Sequence, residues 1–446
     1  MRIPHVAAQY WKATASGDLL VGDISVSTIA ARYGTPLFVY DRSVMARKLS
    51  ALRHALPARF AISYSVKANP HPVFLKFFLS HGCGLEIASA GEFRQALTAG
   101  CPASKIVFAG PGKTEEELQA VISQGVGEIH VESLTEAGRI ARIANGVGVR
   151  VPVAIRVNPS DEEQGGAMRM GGKSAPFGVD EEQLEPILRK ISREAWLDFC
   201  GIHLFIGTQI LDSELLLRQY RKGIEIARRV AEWAAVPIRT LDFGGGLGIP
   251  YFAGEAELDL DQLREGVSAL FSSIENEKCF ATTTFMLEPG RFLMGECGVY
   301  IARVTDIKLS RGKKYLILDG GMHHHLAASG NLGQVIKRNF PIAVVNGLNS
   351  PNTEIVDVVG PLCTPLDTLA RSMELGTAHV GDLVGIFQSG AYARTASPLG
   401  FLSHPTPPEV LVDGDRDSLI RKRNGPVDFL DDSYEQAFGE LASLTN

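Results

Sequence analysis

Lys67 is the residue of this sequence best placed to do covalent chemistry. It lies at the far end of a strand-like run, Phe60 to Tyr64, and Pro70 interrupts the backbone shortly afterwards. A lysine at the end of a strand is usually a solvated charge, but a lysine enclosed in a pocket can act as an amine nucleophile. Lys67 is therefore a catalytic candidate if other functional groups converge on it.

Charged residues occur at similar places in other strand-like runs. Glu288 and Arg291 end one run in the order Glu-Pro-Gly-Arg. The arginine could bind a phosphate and the carboxylate a ring nitrogen, with a surface ion pair as the alternative. Arg156 and Glu86 lie inside runs where an unpaired charge is costly, so each should be paired or lie at the end of its strand. Glu288 is the predicted partner of Arg156.

Small and polar residues complete a possible anion site. The stretch from Gly244 to Gly248, which includes Gly245 and Gly246, follows another run, and glycines let backbone N–H groups approach an anion closely. A structural turn is the alternative explanation. Thr208 is a candidate hydrogen-bond donor to phosphate, whereas a strand histidine such as His203 is more often a core residue.

Cys363 differs from the other cysteines because it lies in a loop between Pro361 and Pro365. This position favours a functional role for Cys363 more than for the other cysteines, and an inert buried thiol is the alternative. The run Met322-His323-His324-His325 invites comparison with metal sites. Consecutive side chains point in different directions, however, and no matching carboxylate spacing follows, so the sequence predicts no metal site.

An alternation of strand-like runs and amphipathic helix patterns would position these residues. The count of such runs predicts an α/β fold with a closed (β/α)8 barrel over residues 36–291, in which the strand carboxyl ends meet at one mouth. An open doubly wound sheet is the alternative. The predicted strands are Phe60–Lys67, Gly84–Ser89, Ile106–Pro111, Glu128–Ser133, Val153–Pro159, Phe199–Thr208, Thr240–Gly248 and Thr284–Arg291.

The pattern changes after Arg291, where strand-like runs follow one another with few helices. Residues 292–446 and residues 1–35 are predicted to form a β-rich domain, which the strand Pro36–Tyr40 would complete. A Gly-rich stretch from Gln164 to Lys173, after the fifth barrel strand, is long enough to be a functional loop.

Composition excludes several classes of function. The net charge is −6 with acids and bases mixed along the chain, so neither nucleic acid nor an anionic membrane surface is an expected partner. No run approaches the ~20 apolar residues of a membrane span, and the N-terminus lacks a signal-peptide pattern. The 6 cysteines form no Cys-x-x-Cys motif. They indicate reduced thiols, and a cytoplasmic location is expected.

Taken in order, the motifs resemble those of the fold-type III pyridoxal-phosphate decarboxylases, the group containing the diaminopimelate and ornithine/arginine decarboxylases. The resemblance covers roughly residues 35 to 415, and the order of the motifs is far more specific than any one of them. The matching motifs are Val66-Lys67-Ala68-Asn69, Gly201-Ile202-His203, Ile206-Gly207-Thr208-Gln209, Gly244-Gly245-Gly246, Glu288-Pro289-Gly290-Arg291, Gly360-Pro361-Leu362-Cys363 and Gly390-Ala391-Tyr392.

The resemblance implies a role for each motif. Lys67 would hold pyridoxal 5'-phosphate as a Schiff base, Glu288 would keep its ring nitrogen protonated, and Arg156 would steady Glu288. Cys363 would come from a partner subunit to protonate the carbanion at Cα, which requires a homodimer with composite active sites. The remaining cofactor-binding residues would be Glu86, His203, Phe205, Thr208, Gly245, Gly246, Arg291 and Tyr392.

Departures from the family pattern concern the substrate. Phe205 stands where family members commonly have a histidine that stacks on the cofactor. The stretch Cys363 to Asp367 lacks the glutamate with which diaminopimelate decarboxylases read the distal amine of their substrate. The family's usual run after Asp319-Gly320 is also absent, and residues Gly321 to Asn331 stand in its place. Together with residues Lys173 to Gly178, this run resembles the branch that acts on modified or carrier-tethered amino acids, including a glutamyl-acyl-carrier-protein decarboxylase and exosortase-associated enzymes. The predicted substrate-binding residues are His323, Ser329, Asn331 and Asp367.

The predicted activity is therefore α-decarboxylation of a modified or carrier-linked amino acid, with an acyl carrier protein as a possible partner. Diaminopimelate decarboxylation is one alternative. An amino-acid racemase is another, although racemases usually place an arginine, not a glutamate such as Glu288, at the ring nitrogen. A non-catalytic binding protein is the third, and the intact Lys67, Cys363 and Tyr392 argue against it.

Overall fold

The computed structural model describes residues 2–160, 174–205, 207–334 and 336–424, together with the backbone of Met168 and Arg169. The chain divides into two compact units. The barrel unit comprises Ala46–Pro250 and Glu255–Gly295, and the β unit comprises the described parts of Met1–Met45, Tyr251–Gly254 and Glu296–Asn446.

The barrel unit contains eight parallel strands in a closed ring, which confirms the predicted barrel. The ring closes because the eighth strand pairs with the first and the fourth with the fifth. Each predicted run overlaps an observed strand, and all eight strands end before the predicted limit. The eight strands are Phe60–Ser65, Gly84–Ile87, Ile106–Phe108, Glu128–Val131, Val151–Asn158, Leu197–Leu204, Thr240–Asp242 and Thr284–Leu287.

Helices follow the barrel strands, and their first turns carry side-chain caps. Thr114 and Glu117 form a reciprocal capping box, and Ser89, Ser133 and Asp212 each accept a backbone N–H at the start of a helix. Such caps fix where a helix begins and therefore how long the preceding loop is. The helices are Arg42–Ala55, which precedes the first barrel strand, and Pro72–Ser80, Ala90–Thr98, Glu115–Ser123, Leu134–Val147, Leu184–Ile191, Ser213–Ala234, Leu260–Ile274 and Arg291–Met294.

The β unit is built on a sheet around the strand Leu37–Asp41. This strand pairs antiparallel with Gly298–Ser310 and parallel with Glu409–Asp413, which places residues 36–45 in the β unit, not within the predicted barrel limits of 36–291. The sheet also contains Lys313–Leu318, Ile342–Val344, Thr353–Val359, Thr368–Gly376, Leu383–Ile386 and Arg416–Arg421.

The first 35 residues belong to the core of the β unit. They form a small sheet of Lys12–Ala13, Leu19–Val21 and Ile24–Ser25, followed by the helix Val26–Tyr33. Trp11, 2% exposed, packs with the apolar face of this helix against the central sheet. Among the described residues, the structure contains no helix of the length and hydropathy needed to span a membrane.

Candidate active site

Lys67 lies in a short 3-10 turn, Val66–Ala68, directly after the first barrel strand. Its Nζ atom is 2.8 Å and 2.9 Å from the two carboxylate oxygens of Glu86 on the second strand. Glu86 is completely buried and also accepts a hydrogen bond from Ser65, whereas the Lys67 side chain is 45% exposed. The buried carboxylate of Glu86 therefore fixes the position of the Lys67 side chain, which remains accessible.

Glu288 directly follows the eighth strand and is buried at 6% exposure. Its Oε2 atom lies 3.4 Å from Nε2 of His203 on the sixth strand. Burial, and next the neighbouring His130, lower the pKa of His203 well below its usual range, so this imidazole is neutral at neutral pH. The Oε1 atom of Glu288 has no hydrogen-bond partner among the described residues. A buried carboxylate with a free oxygen is suited to receive a proton donor from a ligand.

Arg156 has a different partner from the predicted Glu288. Its guanidinium donates a hydrogen bond of 2.8 Å to Glu132, which directly follows the fourth strand. Glu132 also accepts backbone N–H groups from Gly110 at 3.0 Å and Gly178 at 2.9 Å. Glu132 therefore ties together the loops after the third, fourth and fifth strands, and Arg156 neutralises its buried charge.

Glycines after the seventh strand leave a space that side chains would fill. A Cβ atom on Gly245 would lie 2.8 Å from the carbonyl oxygen of Glu288, and one on Gly246 would lie 3.0 Å from that of Gly207. Gly246 also has a φ of +103°, which disfavours other residues. Backbone N–H groups can approach an anion closely in such a place.

Three further residues that the sequence predicts to bind the cofactor lie near the glycine segment or after the next strand. Thr208 directly follows Gly207 and is half-buried. Phe205 packs on the glycines, since its Cδ2 atom would be 3.0 Å from a Cβ on Gly244. Arg291 begins the four-residue helix Arg291–Met294 after the eighth strand.

The barrel unit thus offers the three groups that pyridoxal phosphate requires. An accessible lysine amine fits the aldehyde, a buried carboxylate with a free oxygen fits the ring nitrogen, and a glycine segment with a threonine hydroxyl fits the phosphate. Lys67, Glu288 and the glycines all follow the carboxyl ends of parallel barrel strands, where active sites of this fold lie. The residues present therefore fit the cofactor.

The other predicted site residues belong to the β unit. Cys363 is an exposed free thiol, and Tyr392 is half-buried with a φ of +53°. Ser329 is buried and accepts a hydrogen bond of 2.6 Å from Asn331, whose amide also reaches the Leu366 carbonyl. The loop predicted to start at Gln164 lies outside the described residues, except that the backbone of Met168 and Arg169 pairs with Gly207 and Thr208.

Two of the predicted substrate-binding residues are buried within the β unit. Asp367 is 2% exposed, and its two oxygens accept the N–H groups of Met322 at 2.6 Å and Leu362 at 2.9 Å. Its carboxylate therefore joins two loops of the β unit. His323 is completely buried, with ring centroids 3.7 Å from His324 and 4.8 Å from His404. Burial, and next His404, lower the pKa of His323 to about 4.

Sequence reasoning missed the ionisable residues of the fourth and seventh strands. Glu128, His130 and Glu132 occupy every second position of one short segment, and Asp242 ends another strand. His130 and Asp242 are completely buried. The signal was available, because ionisable residues that alternate along a barrel strand share one face of it, and each needs a partner or a ligand.

Comparison with known proteins agrees with this geometry. The family described as "Pyridoxal-dependent decarboxylase, pyridoxal binding domain" matches residues 42–295. An L-glutamyl-[BtrI acyl-carrier protein] decarboxylase of Niallia circulans is 34% identical, over 91% of this chain and 95% of the relative. A diaminopimelate decarboxylase of Zymomonas mobilis is 32% identical, over 94% and 97% respectively.

The fold is similar to that of solved structures as well. The crystal structure of diaminopimelate decarboxylase from Helicobacter pylori complexed with L-lysine superposes with a TM-score of 0.81 at 28% identity, and the match covers 90% of this chain and 97% of that one. The agreement of family, fold and site leads to one conclusion: the chain belongs to the pyridoxal-phosphate-dependent decarboxylase family.

Proposed function

We propose that this decarboxylase removes the α-carboxyl group of an amino acid whose far end is modified or attached to an acyl carrier protein. The observation that carries the proposal is the stretch from Cys363 to Asp367. Its one carboxylate, Asp367, is buried on two backbone N–H groups, so the loop offers no anion to the distal ammonium of free diaminopimelate. The Niallia circulans relative, which decarboxylates a carrier-bound glutamyl group, supports the same substrate class.

The barrel unit would hold the cofactor and leave its reactive face open. Bound pyridoxal phosphate supplies a ring that accepts the electrons left on Cα when CO2 departs. Lys67 would bind the cofactor covalently, with Glu86 fixing the amine, and Glu288 would hold a proton at the ring nitrogen. The phosphate would be bound by residues that follow three different strands, namely Thr208, Gly245, Gly246 and Arg291.

The proton that replaces CO2 would come from a second copy of the chain. Cys363 is exposed on the β unit, as a thiol that acts on another subunit must be. In a homodimer with composite sites, the partner's copy of Cys363 would protonate Cα and the partner's copy of Tyr392 would contact the phosphate. Such a dimer would place two residues of each β unit in the active site of the other subunit.

The substrate class is tested by CO2 release from a panel. Free glutamate, free diaminopimelate, the same amino acids on an acyl carrier protein, and the unloaded carrier are compared with wild type and with Lys67→Ala as the inactive control. We expect carrier-bound substrate to be preferred by at least about 100-fold, the discrimination that about 3 kcal/mol of lost contacts provides. Release from free diaminopimelate at an equal or higher rate would identify the alternative activity in lysine biosynthesis.

The composite site is tested by mixing two inactive variants, Lys67→Ala and Cys363→Ala. Random exchange of subunits gives one intact site for every four, so roughly a quarter of the wild-type activity should return. A site formed within one chain would return none. Each variant alone is the control, and its cofactor absorbance shows whether Cys363→Ala still binds pyridoxal phosphate.

A further inference from the structure

Four buried ionisable side chains converge from the carboxyl ends of four barrel strands. They are His130, His203, Asp242 and Glu288, called here the buried quartet, and a nitrogen or oxygen of each lies within 4.8 Å of those of the others. Their residue exposures are 0%, 1%, 0% and 6%. In the described part of the chain, five nitrogen and oxygen atoms of the quartet have no hydrogen-bond partner. Such a density of unsatisfied polar atoms is costly and calls for a functional explanation.

His130 occupies the central position in the quartet. Its Nδ1 atom is 3.8 Å from Oε1 of Glu288, and its Nε2 atom is 3.8 Å from Oδ2 of Asp242 and 3.3 Å from Oε1 of Glu128. Its ring stacks on His203 with centroids 4.3 Å apart and an interplanar angle of 16°. The imidazole therefore lies between the carboxylates of two neighbouring strands, makes a hydrogen bond with Glu128 and stacks on a second imidazole.

The quartet is also joined to the glycine segment through the backbone. Gly244 donates its N–H to Oδ1 of Asp242 at 2.7 Å, and Glu288 donates its N–H to the Gly244 carbonyl at 2.7 Å. A shift of either carboxylate would therefore move the chain that precedes Gly245. The position of Glu288 and that of the glycine segment are coupled.

Asp242 lies next to Glu288 within the quartet. Burial, and next the adjacent Glu288, raise the pKa of Asp242 well above its usual range. The other charged groups that act on the quartet come from the second, fourth and fifth strands and the residue after the fourth. They are Glu86, Glu128, Glu132 and Arg156.

We propose that His130 is a positioning residue that, together with Asp242, orients Glu288 toward the cofactor ring. His130 acts through Glu288. The proposal rests on the proposed role of Glu288 at the ring nitrogen and adds to it the residue that sets the orientation of this carboxylate.

The test is a double-mutant cycle read by the absorbance of the bound cofactor. Wild type, His130→Phe, Glu288→Gln and the double variant are loaded with pyridoxal phosphate, and the pH midpoint of the visible band is measured for each. Phenylalanine keeps the stacking on His203 but has no ring nitrogen. The matched control is His81→Phe, which removes an imidazole that belongs to the barrel unit but not to the quartet. Affinity for pyridoxal phosphate is measured by equilibrium dialysis.

We expect His130→Phe to shift the midpoint by roughly one pH unit and to weaken cofactor affinity about tenfold, the loss typical of one interaction with a charged group. In the Glu288→Gln background the same substitution should cause no further shift. Equal shifts in both backgrounds would overturn the proposal and leave His130 a purely structural residue. An unchanged spectrum in Glu288→Gln alone would instead refute the role of Glu288. If His130→Phe fails to fold, His130→Gln, which keeps a donor and an acceptor, enters the same cycle.

Discussion

Removing Arg156 tests whether its partner is Glu132. Both side chains are almost completely buried, at 7% and 4% exposure, and their hydrogen bond is 2.8 Å long. Arg156→Met keeps much of the apolar stem but leaves the carboxylate of Glu132 without its opposite charge. We expect the barrel unit to be strongly destabilised, because a buried charge that loses its partner costs far more than an exposed pair contributes.

The size of the stability loss depends on the hydrogen bonds that Glu132 retains in the variant. Breaking a buried pair typically costs about 3–5 kcal/mol of unfolding free energy. Glu132 retains two backbone donors, Gly110 and Gly178, so a value near about 3 kcal/mol is expected. Adding Glu132→Gln removes the orphaned charge. The double variant should therefore be more stable than the sum of the single losses predicts by about 2 kcal/mol.

Urea unfolding followed by tryptophan fluorescence measures these values, because Trp196 and Trp233 both belong to the barrel unit. The matched control is the exposed pair Arg189 and Glu185, whose side chains are 53% and 40% exposed. Their cycle should give a coupling of about 0.3–0.5 kcal/mol. Additive losses for Arg156 and Glu132 would refute the pairing, and a coupling between Arg156 and Glu288 of similar size would restore the original prediction.

Three further outcomes follow from the structure. Gly245→Ala should weaken pyridoxal-phosphate binding at least about tenfold in a dialysis assay, since its Cβ would meet the Glu288 carbonyl at 2.8 Å, whereas Gly138→Ala, on an open helix face, should stabilise the fold by about 0.5–1 kcal/mol. His323, with its pKa lowered to about 4, contributes stability that is complete above pH 6.5 and is lost as the pH falls. The contribution of His323 to the unfolding free energy should be about 2 kcal/mol smaller at pH 5 than at pH 7, and His323→Leu should remove this part of the pH dependence measured by thermal unfolding. Glu86→Gln should slow recombination of the apoprotein with pyridoxal phosphate about tenfold in stopped-flow absorbance, because Lys67 loses the ion pair that fixes its amine.

The barrel could be predicted from the sequence because strand-like runs rich in apolar residues alternate with helix patterns along it. The motifs after those strands then identified Lys67, Glu288 and the glycine segment, since parallel strands bring their carboxyl ends together. In the β unit, the strands Thr368–Gly376 and Arg416–Arg421 were missed. Their burial does not alternate regularly, so neither shows the two-residue hydrophobic period on which strand prediction depends.

The partner of Arg156 could not be predicted because it depends on depth within the barrel. Glu288 and Glu132 both follow strands and carry the same charge, and the sequence does not state which lies level with the guanidinium. Strand register decides this: Arg156 pairs with His203 across the sheet, and the fourth strand reaches the fifth through Ile129, His130 and Val131. That register leaves Glu132 beside Arg156 and directs Glu288 to the two histidines.

The buried ionisable groups of the barrel unit divide into two sets. Lys113 with Glu136 and Arg156 with Glu132 are paired and also bonded to the backbone, so they stabilise loops at little net cost. The quartet around Glu288 is the opposite case, because five of its polar atoms have no hydrogen-bond partner among the described residues. Each buried polar group left unsatisfied costs about 1–3 kcal/mol, a loss that hydrogen bonds to a ligand or to an ordered water recover. A cluster of buried polar atoms without hydrogen-bond partners therefore marks the position of Glu288, the proposed functional carboxylate.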